Sequence, residues 1–431
     1  MKYKILQGDC LEKLDELEEN SIDCIVTDPP YELNFMGKGW DNAGVSFQKE
    51  TWEKCLRVLK PGGYLLAFGG TRTYHRIACA IEDAGFEIRD CIMWLYGSGF
   101  PKSMDIEKAI NKRDGVEFKS KPAKGVGFMN ANDDGWHNTL NQLEQIGESS
   151  DRAKNWKGWG SALKPSFEPI IVARKPLKGS LIDNVLQYGV GGINIDECRV
   201  GNEKVSVHNA PKGIFANGER NRGSDTTTYR EHEGRFPANT ILTYDEIDFD
   251  EVCGGFPQSG SGKGGKPYSY EGKEYNNKET SMFNGDKPKS PSNYNDNGSA
   301  SRYFYCAKAS KKDRDEGLED MPEKKIYGDD MNWGYGNTNG DNFGDRIANV
   351  KRRNTHPTVK PTSLMQYLIR LVAPKGATIL DPFMGSGSTG KAVAYENKER
   401  DMNYSFIGIE QDPEYCKIAK ARIDYACEGN D

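Results

Sequence analysis

One glycine-rich segment near the end of the chain constrains the fold more than any other feature of the sequence. Residues 379–390 read ILDPFMGSGSTG, an apolar strand pattern that runs into Gly385, Gly387 and Gly390 before a helical pattern begins. Glycines at this G-x-G-x-x-G spacing allow a tight turn and let a ligand approach the backbone at a helix N-terminus. Glu410 ends the next predicted strand, where a carboxylate can accept hydrogen bonds from both hydroxyls of a ribose. The segment predicts a nucleoside-binding turn; a glycine turn without a ligand is the alternative.

The position of this turn indicates how the fold is assembled. Only about forty residues follow Gly390, too few to supply the strands that a nucleotide-binding sheet needs after its first turn. The remaining strands must therefore come from the N-terminal part of the chain. A dehydrogenase normally presents its nucleotide-binding half as one complete block, so this order fits a dehydrogenase poorly.

Strand and helix patterns alternate at both ends of the chain. Strands are predicted at 3–7, 22–27, 64–68, 86–96, 377–380 and 406–410, and helices at 11–17, 47–59, 74–84, 363–372, 390–395 and 413–425. The run KPGG at 60–63 is predicted to stop the second helix before the next strand begins. Such alternation is typical of an α/β fold in which helices cover both faces of a parallel sheet.

A second candidate half-site directly follows the predicted strand 22–27, where residues 27–31 read TDPPY. Paired prolines cannot continue a β-ladder and they fix φ, so the chain leaves the strand in a rigid extended loop. Ligands of open α/β sheets bind at the carboxyl ends of the strands. The loop offers the carboxylate of Asp28, outward backbone carbonyls and the ring of Tyr31. This set complements a planar amino group on a ring that can stack; a proline-rich turn with an incidental acid is the alternative.

The composition of the chain argues against several classes of protein. The ten cysteines include no C-x-x-C pair and the five histidines are spread along the chain, so neither a disulfide framework nor a metal site is expected. No apolar run is long enough to span a bilayer and the start lacks the core of a signal peptide, which favours a cytoplasmic protein without membrane contact. The net charge of −6 argues weakly against nucleic acid, but an acidic protein can carry a basic groove.

The order of these motifs resembles that of the β-type, circularly permuted DNA amino-methyltransferases. In that family a D-P-P-Y motif precedes an F-x-G-x-G motif, as residues 28–31 precede residues 383–387 here. Two further segments, Gly8-Asp9 and the run HPTVKP at 356–361, match family motifs in the same order. The resemblance covers roughly residues 1–110, 155–178 and 350–425. It implies a Rossmann-like methyltransferase sheet, circularly permuted, with a large irregular insertion for target recognition.

The resemblance also implies a reaction and a set of site residues. S-Adenosylmethionine is the implied cofactor, and its methyl group is transferred to the exocyclic amino group of a base flipped out of double-stranded DNA. The implied catalytic residues are Asp28, Pro29, Pro30 and Tyr31. The implied cofactor-binding residues are Asp9, Thr358, Lys360, Asp381, Phe383, Gly385, Gly387 and Glu410.

Individual roles follow from the same resemblance. Asp28 and the Pro29 carbonyl are expected to accept the N–H groups of the base, and Tyr31 to stack on its ring. Asp9 is expected at the adenine of the cofactor and Glu410 at its ribose. The backbone of 383–387 is expected at the methionine portion, with Thr358 and Lys360 at the methionine carboxylate.

The motifs leave alternatives open for both the target base and the class of substrate. In the family D-P-P-Y goes more often with adenine N6 and S-P-P-Y with cytosine N4, so adenine N6 is expected and cytosine N4 is the alternative. A methyltransferase that acts on RNA or on a protein amide is a further alternative. A DNA-binding protein with a relic site is another.

The expected organisation divides the chain into five parts. These are a catalytic half (1–110), a loop insertion (111–155), a strand that completes the sheet (156–178), a target-recognition region (179–350) and a cofactor-binding half (351–431). The recognition region contains arginines that can contact bases or phosphates, among them Arg220, Arg222, Arg235, Arg302 and Arg314. Double-stranded DNA is the expected partner; a homodimer and a cognate restriction nuclease are open alternatives.

Overall fold

The protein is built around one large mixed sheet. The computed structural model describes residues 1–33, 44–96, 103–122, 147–208, 229–243, 311–325 and 351–428, with short strands at 127–129, 136–138, 141–145, 258–259, 298–299 and 305–306. The strands of the central sheet are β1 (Lys2–Gln7), β2 (Ile22–Thr27), β3 (Leu59–Phe68), β4 (Glu87–Tyr96), β5 (Phe167–Arg174), β6 (Thr240–Thr243), β7 (Tyr305–Cys306), β8 (Thr378–Asp381) and β9 (Ser405–Glu410). The predicted α/β fold is confirmed.

Strands from the two ends of the chain are neighbours in this sheet. The order across it is β1-β9-β8-β2-β3-β5-β4-β6-β7. β8 pairs in parallel with β2, with Ile379 opposite Cys24 and Leu380 opposite Ile25. β1 pairs in parallel with β9 along its whole length. The carboxyl ends of β1, β2, β8 and β9 therefore meet at one edge of the sheet, where open α/β sheets bind ligands.

Helices cover both faces of the sheet. In chain order they are α1 (Cys10–Asp15), α2 (Lys49–Val58), α3 (Tyr74–Asp83), α4 (Ile106–Arg113), α5 (Asp151–Lys154), α6 (Leu181–Tyr188), α7 (Lys311–Asp315), α8 (Thr362–Val372), α9 (Ser388–Arg400) and α10 (Pro413–Glu428). Single 3₁₀ turns lie at Val45–Phe47 and Asp196–Cys198. Buried residues of α1, α2 and α3 pack on one face, and those of α8, α9 and α10 pack on the other.

The alternation of side chains along β2 explains these two layers. Cys24 and Val26 belong to the layer formed with α8, whereas Ile25 belongs to the layer that contains Trp52 of α2. All six residues of β2 are buried, as expected for a strand covered on both faces. A fully buried side chain of this size contributes about 1.5–3 kcal/mol relative to an exposed one. The apolar run that predicts β2 thus also fixes its place in the middle of the sheet.

The proline–glycine run at 60–63 departs from the sequence-based expectation. The helix before it ends at Val58, but residues 60–63 belong to β3 instead of separating helix and strand. They bulge out of the ladder, because Ile22 pairs with Leu59 and the next partner, Cys24, pairs with Tyr64. A bulge tolerates a proline and a glycine with positive φ within a strand, and Gly62 has a φ of 80°.

Strand β5 is a second departure, because it runs antiparallel to both of its neighbours, β3 and β4. The described sheet is therefore mixed, with β5 antiparallel among strands that otherwise pair in parallel, as the alternation predicts. Ile170 lies opposite Phe68, and Phe167 lies opposite Leu95. The first residues of β5 consequently lie at the edge where the neighbouring strands end. β5 lies within 156–178, where the sequence predicts a strand that completes the sheet.

The two insertions contribute short strands of their own. Strand β6 pairs in parallel with β4 and with β7. Part of the 179–350 region therefore extends the central sheet. The other described strands form two-stranded antiparallel pairs: Phe118–Pro122 with Asn141–Gln145, Gly127–Met129 with Trp136–Asn138, Val200–His208 with Tyr229–Arg235, Gln258–Ser259 with Gly298–Ser299, and Lys324–Lys325 with Lys351–Arg352.

The packing of Gly390 in α9 gives a test of this architecture. A Cβ at this position would lie 2.4 Å from Cδ1 of Ile423 and 2.7 Å from Cε1 of Phe406, both buried. Alanine gains about 1 kcal/mol of helix propensity over glycine, but overpacking a core costs about 1–3 kcal/mol. We expect Gly390→Ala to lower the free energy of unfolding, measured by denaturant titration. Gly192→Ala, whose Cβ meets no atom within 4 Å, is the control and should change it little; equal effects of the two changes would contradict the packing.

Candidate active site

Residues from both ends of the chain line one cavity at the carboxyl edge of the sheet. Its volume is about 1200 Å³. All the predicted catalytic residues line it, and so do all the predicted cofactor-binding residues except Gly387. Those that line it are Asp9, Asp28, Pro29, Pro30, Tyr31, Thr358, Lys360, Asp381, Phe383, Gly385 and Glu410. The two half-sites that are separate in the sequence therefore form one cleft.

A buried carboxyl group joins the two half-sites. Asp381, the last residue of β8, accepts hydrogen bonds from the hydroxyl of Thr27 at 2.6 Å and from the hydroxyl of Thr389. The Phe383 amide donates to the same carboxyl at 3.1 Å. Burial raises the pKa of Asp381 to about 6, although these hydrogen bonds act to lower it. Because the folded-state pKa lies above the ordinary 3.8, the contribution of this group to stability declines as pH rises from about 4 to about 6.

The glycine turn is held by Glu410. The Gly385 amide donates to Glu410 Oε2 at 2.9 Å, and the Asp412 amide donates to Oε1 at 2.8 Å. Gly385 has a φ of 54°, and a Cβ there would lie 2.7 Å from Nε2 of His356. Gly387 has a φ of 79° and is the N-cap of α9. These two positions require glycine because both have the left-handed backbone conformation and because a side chain would meet a neighbouring residue.

Two carboxylates, Asp9 after β1 and Glu410 at the end of β9, face the cavity with unused acceptor capacity. Each oxygen of Glu410 accepts one backbone N–H, and Asp9 Oδ1 accepts the Leu11 amide at 2.8 Å while capping α1. A carboxylate has about four lone-pair positions, so both groups can accept further hydrogen bonds. Burial raises the pKa of Glu410 despite the amides that favour its charged form. The pair is suited to a ligand that presents hydroxyl and amino donors.

The D-P-P-Y motif surrounds a buried lysine. Lys360 Nζ donates to Asp28 Oδ2 at 2.6 Å and to the Tyr31 hydroxyl at 3.2 Å. The Tyr31 hydroxyl donates to Asp28 Oδ1 at 2.9 Å. Burial acts to lower the pKa of Lys360, but the charge of Asp28 and that of Glu168 outweigh it and raise the pKa above its ordinary value. The structure therefore brings Lys360 to the D-P-P-Y motif, a contact that the sequence does not predict.

Sequence reasoning missed two further residues of the cavity wall. Glu168 of β5 accepts the Tyr31 hydroxyl at 2.7 Å and lies 3.3 Å from Lys360 Nζ. His356 packs edge-on against the ring of Tyr415, and burial lowers its pKa to about 4, so the imidazole is neutral near pH 7. His356 begins the HPTVKP run and could have been selected from that motif. Glu168 belongs to no motif of the predicted site, and its place follows only from the reversed direction of β5.

The arginines proposed for target recognition are only partly described. Arg220, Arg222 and Arg302 lie outside the described residues. Arg314 of α7 donates to the backbone carbonyl of His356 at 3.1 Å, so it supports the wall of the cavity. Arg235 ends a strand of the hairpin that pairs Val200–His208 with Tyr229–Arg235.

The described residues contain neither a membrane-spanning helix nor a group suited to hold a metal ion. None of their helices combines the length and the apolar composition needed to cross a bilayer. Within the same residues, His, Cys, Asp and Glu form no group of three or more that can hold a metal ion.

Comparison with known proteins matches the chain to one family. The sequence model of the N6/N4 family described as "DNA methylase" matches residues 22–421. The chain is 36% identical over 112 residues to the Type II methyltransferase M.HpaI of Haemophilus parainfluenzae, covering 24% of this chain and 35% of that protein. It is 24% identical over 232 residues to the Type II methyltransferase M.HindIII of Haemophilus influenzae, covering 44% of this chain and 64% of that protein. The chain thus spans about a third to just under two thirds of these relatives.

Solved structures also resemble the chain at low identity. The crystal structure of the M1.HpyAVI–SAM complex matches with a TM-score of 0.36 and 16% identity, covering 98% of this chain and 99% of that one. The PvuII DNA methyltransferase (cytosine-N4-specific) matches with a TM-score of 0.40 and 13% identity, covering 98% of this chain and 86% of that one.

The Thr27–Asp381 hydrogen bond gives a stability test of the joined half-sites. Thr27→Val keeps the shape of the buried side chain but leaves Asp381 with one donor fewer. Because hydrogen bonds to charged groups contribute about 1.5–3 kcal/mol, we expect a loss of about 2 kcal/mol in the free energy of unfolding, measured by denaturant titration. The control is Thr51→Val, which removes an equally buried hydroxyl that donates to a neutral carbonyl of Val45, for an expected loss of about 1 kcal/mol. A smaller loss for Thr27→Val than for Thr51→Val would contradict this role of Asp381.

Proposed function

This chain belongs to the N6/N4 DNA methylase family, and we propose that it transfers a methyl group from S-adenosylmethionine to the exocyclic amino group of a base in DNA. The observation that carries the proposal is the single cavity lined by both the D-P-P-Y loop and the glycine turn. A methyl donor bound at the glycine turn and a methyl acceptor bound at the D-P-P-Y loop would then face each other, because the Thr27–Asp381 hydrogen bond holds the two segments side by side. The Type II methyltransferases M.HpaI and M.HindIII, with which the chain shares sequence, support DNA as the substrate.

The residues around the glycine turn, together with Asp9 from the start of the chain, fit S-adenosylmethionine. The Glu410 carboxylate has free acceptor positions for the ribose hydroxyls, and Asp9 has them for the adenine amino group. The turn at 383–387 and Thr358 lie beside the space left for the methionine portion. When bound, the cofactor supplies a methyl group on a positively charged sulfur. His356, whose pKa is lowered to about 4 by burial, adds no positive charge to this wall near pH 7.

The catalytic half prepares the amino group as a nucleophile. Asp28 and the Pro29 carbonyl accept its two N–H groups, and Tyr31 stacks on the base. These hydrogen bonds favour the tetrahedral nitrogen and stabilise the positive charge that develops on it. The nitrogen lone pair would form the new bond to the methyl group that the cofactor supplies, the sulfur would keep the electron pair of the bond it loses, and the methylated nitrogen would then release a proton to water. In-line attack needs the nitrogen about 3 Å from the methyl carbon, so the base must leave the stack to enter the cavity.

The finer assignments rest on the motif order and on the D-P-P-Y residues. Asp28 before the paired prolines supports adenine N6 as the target, with cytosine N4 as the second candidate. The catalytic loop precedes the cofactor turn in the chain, which supports a circularly permuted β-type enzyme. Residues 179–350, with 111–155, are assigned to target recognition in double-stranded DNA. Single-molecule sequencing of DNA from cells that express the protein tests base and recognition sequence together: methylated cytosine would replace the adenine assignment, and unmodified DNA would oppose the function.

Asp28→Ala tests the catalytic assignment. The change removes the carboxylate that accepts the amino N–H but leaves the glycine turn, Glu410 and Asp9 intact. We expect methyl transfer to fall at least about 100-fold, the loss typical of a group that stabilises charge in the transition state. S-Adenosylmethionine affinity, measured by calorimetry, should stay within a few-fold of the unchanged protein. Full activity in this variant would remove Asp28 from the reaction.

Glu410→Ala tests the cofactor assignment. Loss of the carboxylate removes the acceptors for the ribose and also frees the amides of Gly385 and Asp412. We expect S-adenosylmethionine to bind about 10- to 100-fold more weakly in calorimetry, since hydrogen bonds to a charged group contribute about 1.5–3 kcal/mol. Glu414→Ala is the matched control, because Glu414 pairs with Lys324 and Lys417 outside the cavity. Unchanged affinity in Glu410→Ala would exclude Glu410 from the cofactor site.

A further inference from the structure

Glu168, the second residue of β5, lies in a cluster of charges beside the D-P-P-Y loop. Its Oε2 accepts the Tyr31 hydroxyl at 2.7 Å and lies 3.3 Å from Lys360 Nζ, while Oε1 accepts the Tyr96 hydroxyl at 3.4 Å. On its other side Lys360 Nζ donates to Asp28 Oδ2 at 2.6 Å. The ammonium group of Lys360 therefore forms ion pairs with two carboxylates.

Burial makes the charge balance of this cluster matter. The side chains of Lys360, Asp28 and Glu168 are only 8%, 18% and 21% exposed, so water screens their charges weakly. Asp28 and Lys360 alone would form a neutral pair, and a neutral pair is a poor partner for a nitrogen that becomes positive. With Glu168 the cluster carries one net negative charge.

The Tyr31 hydroxyl is divided between the same two carboxylates. It lies 2.9 Å from Asp28 Oδ1 and 2.7 Å from Glu168 Oε2. A phenol has a single proton to donate, so it can satisfy only one of the two at full strength. The shorter contact is with Glu168, which therefore competes with Asp28 for this proton and fixes the ring of Tyr31 from the side of β5.

We propose that Glu168 is a positioning residue that shares Lys360 and the Tyr31 hydroxyl with Asp28, so that the cluster of Asp28, Lys360 and Glu168 keeps one net negative charge beside the amino group of the target base. The inference rests on the proposed methyl transfer, which supplies the developing positive charge. Glu168 acts through its neighbours and does not itself contact the reacting atoms. When the base binds Asp28, Lys360 remains paired with Glu168.

Removing the charges of the cluster one at a time and together provides the test. Glu168→Gln keeps the size of the side chain and an oxygen for the Tyr31 hydroxyl but makes the cluster neutral. Lys360→Met leaves two carboxylates without a cation, and the double variant restores one net negative charge. If net charge is what Glu168 provides, the double variant should be more active than Glu168→Gln.

The assay measures transfer of a labelled methyl group from saturating S-adenosylmethionine to unmethylated genomic DNA. We expect Glu168→Gln to lower kcat about 10- to 100-fold, with cofactor affinity and the KM for DNA changed only a few-fold. On a logarithmic scale, the double variant should regain at least about a third of the decrease in kcat that Glu168→Gln causes. In Lys360→Met the acidic limb of the kcat profile should move to higher pH, because two adjacent carboxylates compete for a proton. Tyr96, His356 and Asp381 also face the cluster and are unchanged in all variants.

Glu87→Gln is the matched control. Glu87 pairs at 2.7 Å with Arg174 at the opposite end of β5, so the change also removes a carboxylate charge from a contact of this strand. It should leave kcat unchanged. A common effect of Glu87→Gln and Glu168→Gln would show that only the stability of β5 is involved.

The outcomes separate the inference from the function on which it rests. If the unchanged protein labels no DNA, the proposed function fails. If it labels DNA and Glu168→Gln retains its kcat, or if the double variant shows the product of the two single losses, the positioning role of Glu168 is overturned. Calorimetric affinity for S-adenosylmethionine in each variant shows whether Lys360→Met acts on cofactor binding instead.

Discussion

The structure depends on one buried carboxyl group, that of Asp381, which accepts hydrogen bonds from the hydroxyls of Thr27 and Thr389. Isolated burial of a carboxyl group is costly, and here the two hydroxyls and the Phe383 amide offset that cost. Thr27 directly precedes the D-P-P-Y loop, and Asp381 directly precedes the glycine turn, although they are about 350 residues apart in the chain. Parallel pairing of β2 with β8 aligns the strands, and this contact fixes how their ends face each other. The cavity is a consequence of that alignment.

Most of the sheet could be predicted because its strands and helices have distinct periodicities. β2 is an apolar run buried on both faces, and its predicted bounds are those of the structure. The motif residues at strand ends could be placed at one edge for the same reason. The direction of β5 could not be predicted, because an apolar strand pattern does not encode the orientation of its neighbours. Glu168 was missed with it, and the pairing of Lys360 with Asp28 was missed because it joins side chains 332 positions apart.

A second set of buried charges ties the end of the 179–350 region to the cofactor half. The Asp313 carboxylate of α7 accepts the amide and hydroxyl of Thr362 and pairs with the fully buried Lys391 of α9 at 2.6 Å. Arg422 of α10 donates to the backbone carbonyl of Asp313 at 3.0 Å and to the carbonyl of Ser386 in the glycine turn at 2.7 Å. Burial acts to raise the pKa of Asp313, but Lys391 and Thr362 outweigh it and the pKa is lowered. Breaking such a pair leaves an uncompensated charge, so α7 has one favoured position against the turn.

The two buried charge clusters have different physical tasks. Around Asp313, two carboxylates, Asp313 and Glu316, lie against two cations, Lys391 and Arg422, so the opposite charges are matched within the protein and their contacts hold the helices in place. Around Asp28, two carboxylates share one ammonium group, and the cluster has an excess of negative charge at the place where the proposed methyl transfer would make a nitrogen positive. Such an imbalance is costly in the absence of a substrate, because like charges close together in a weakly screened site repel. Lys360 reduces this cost in the free protein without cancelling the charge.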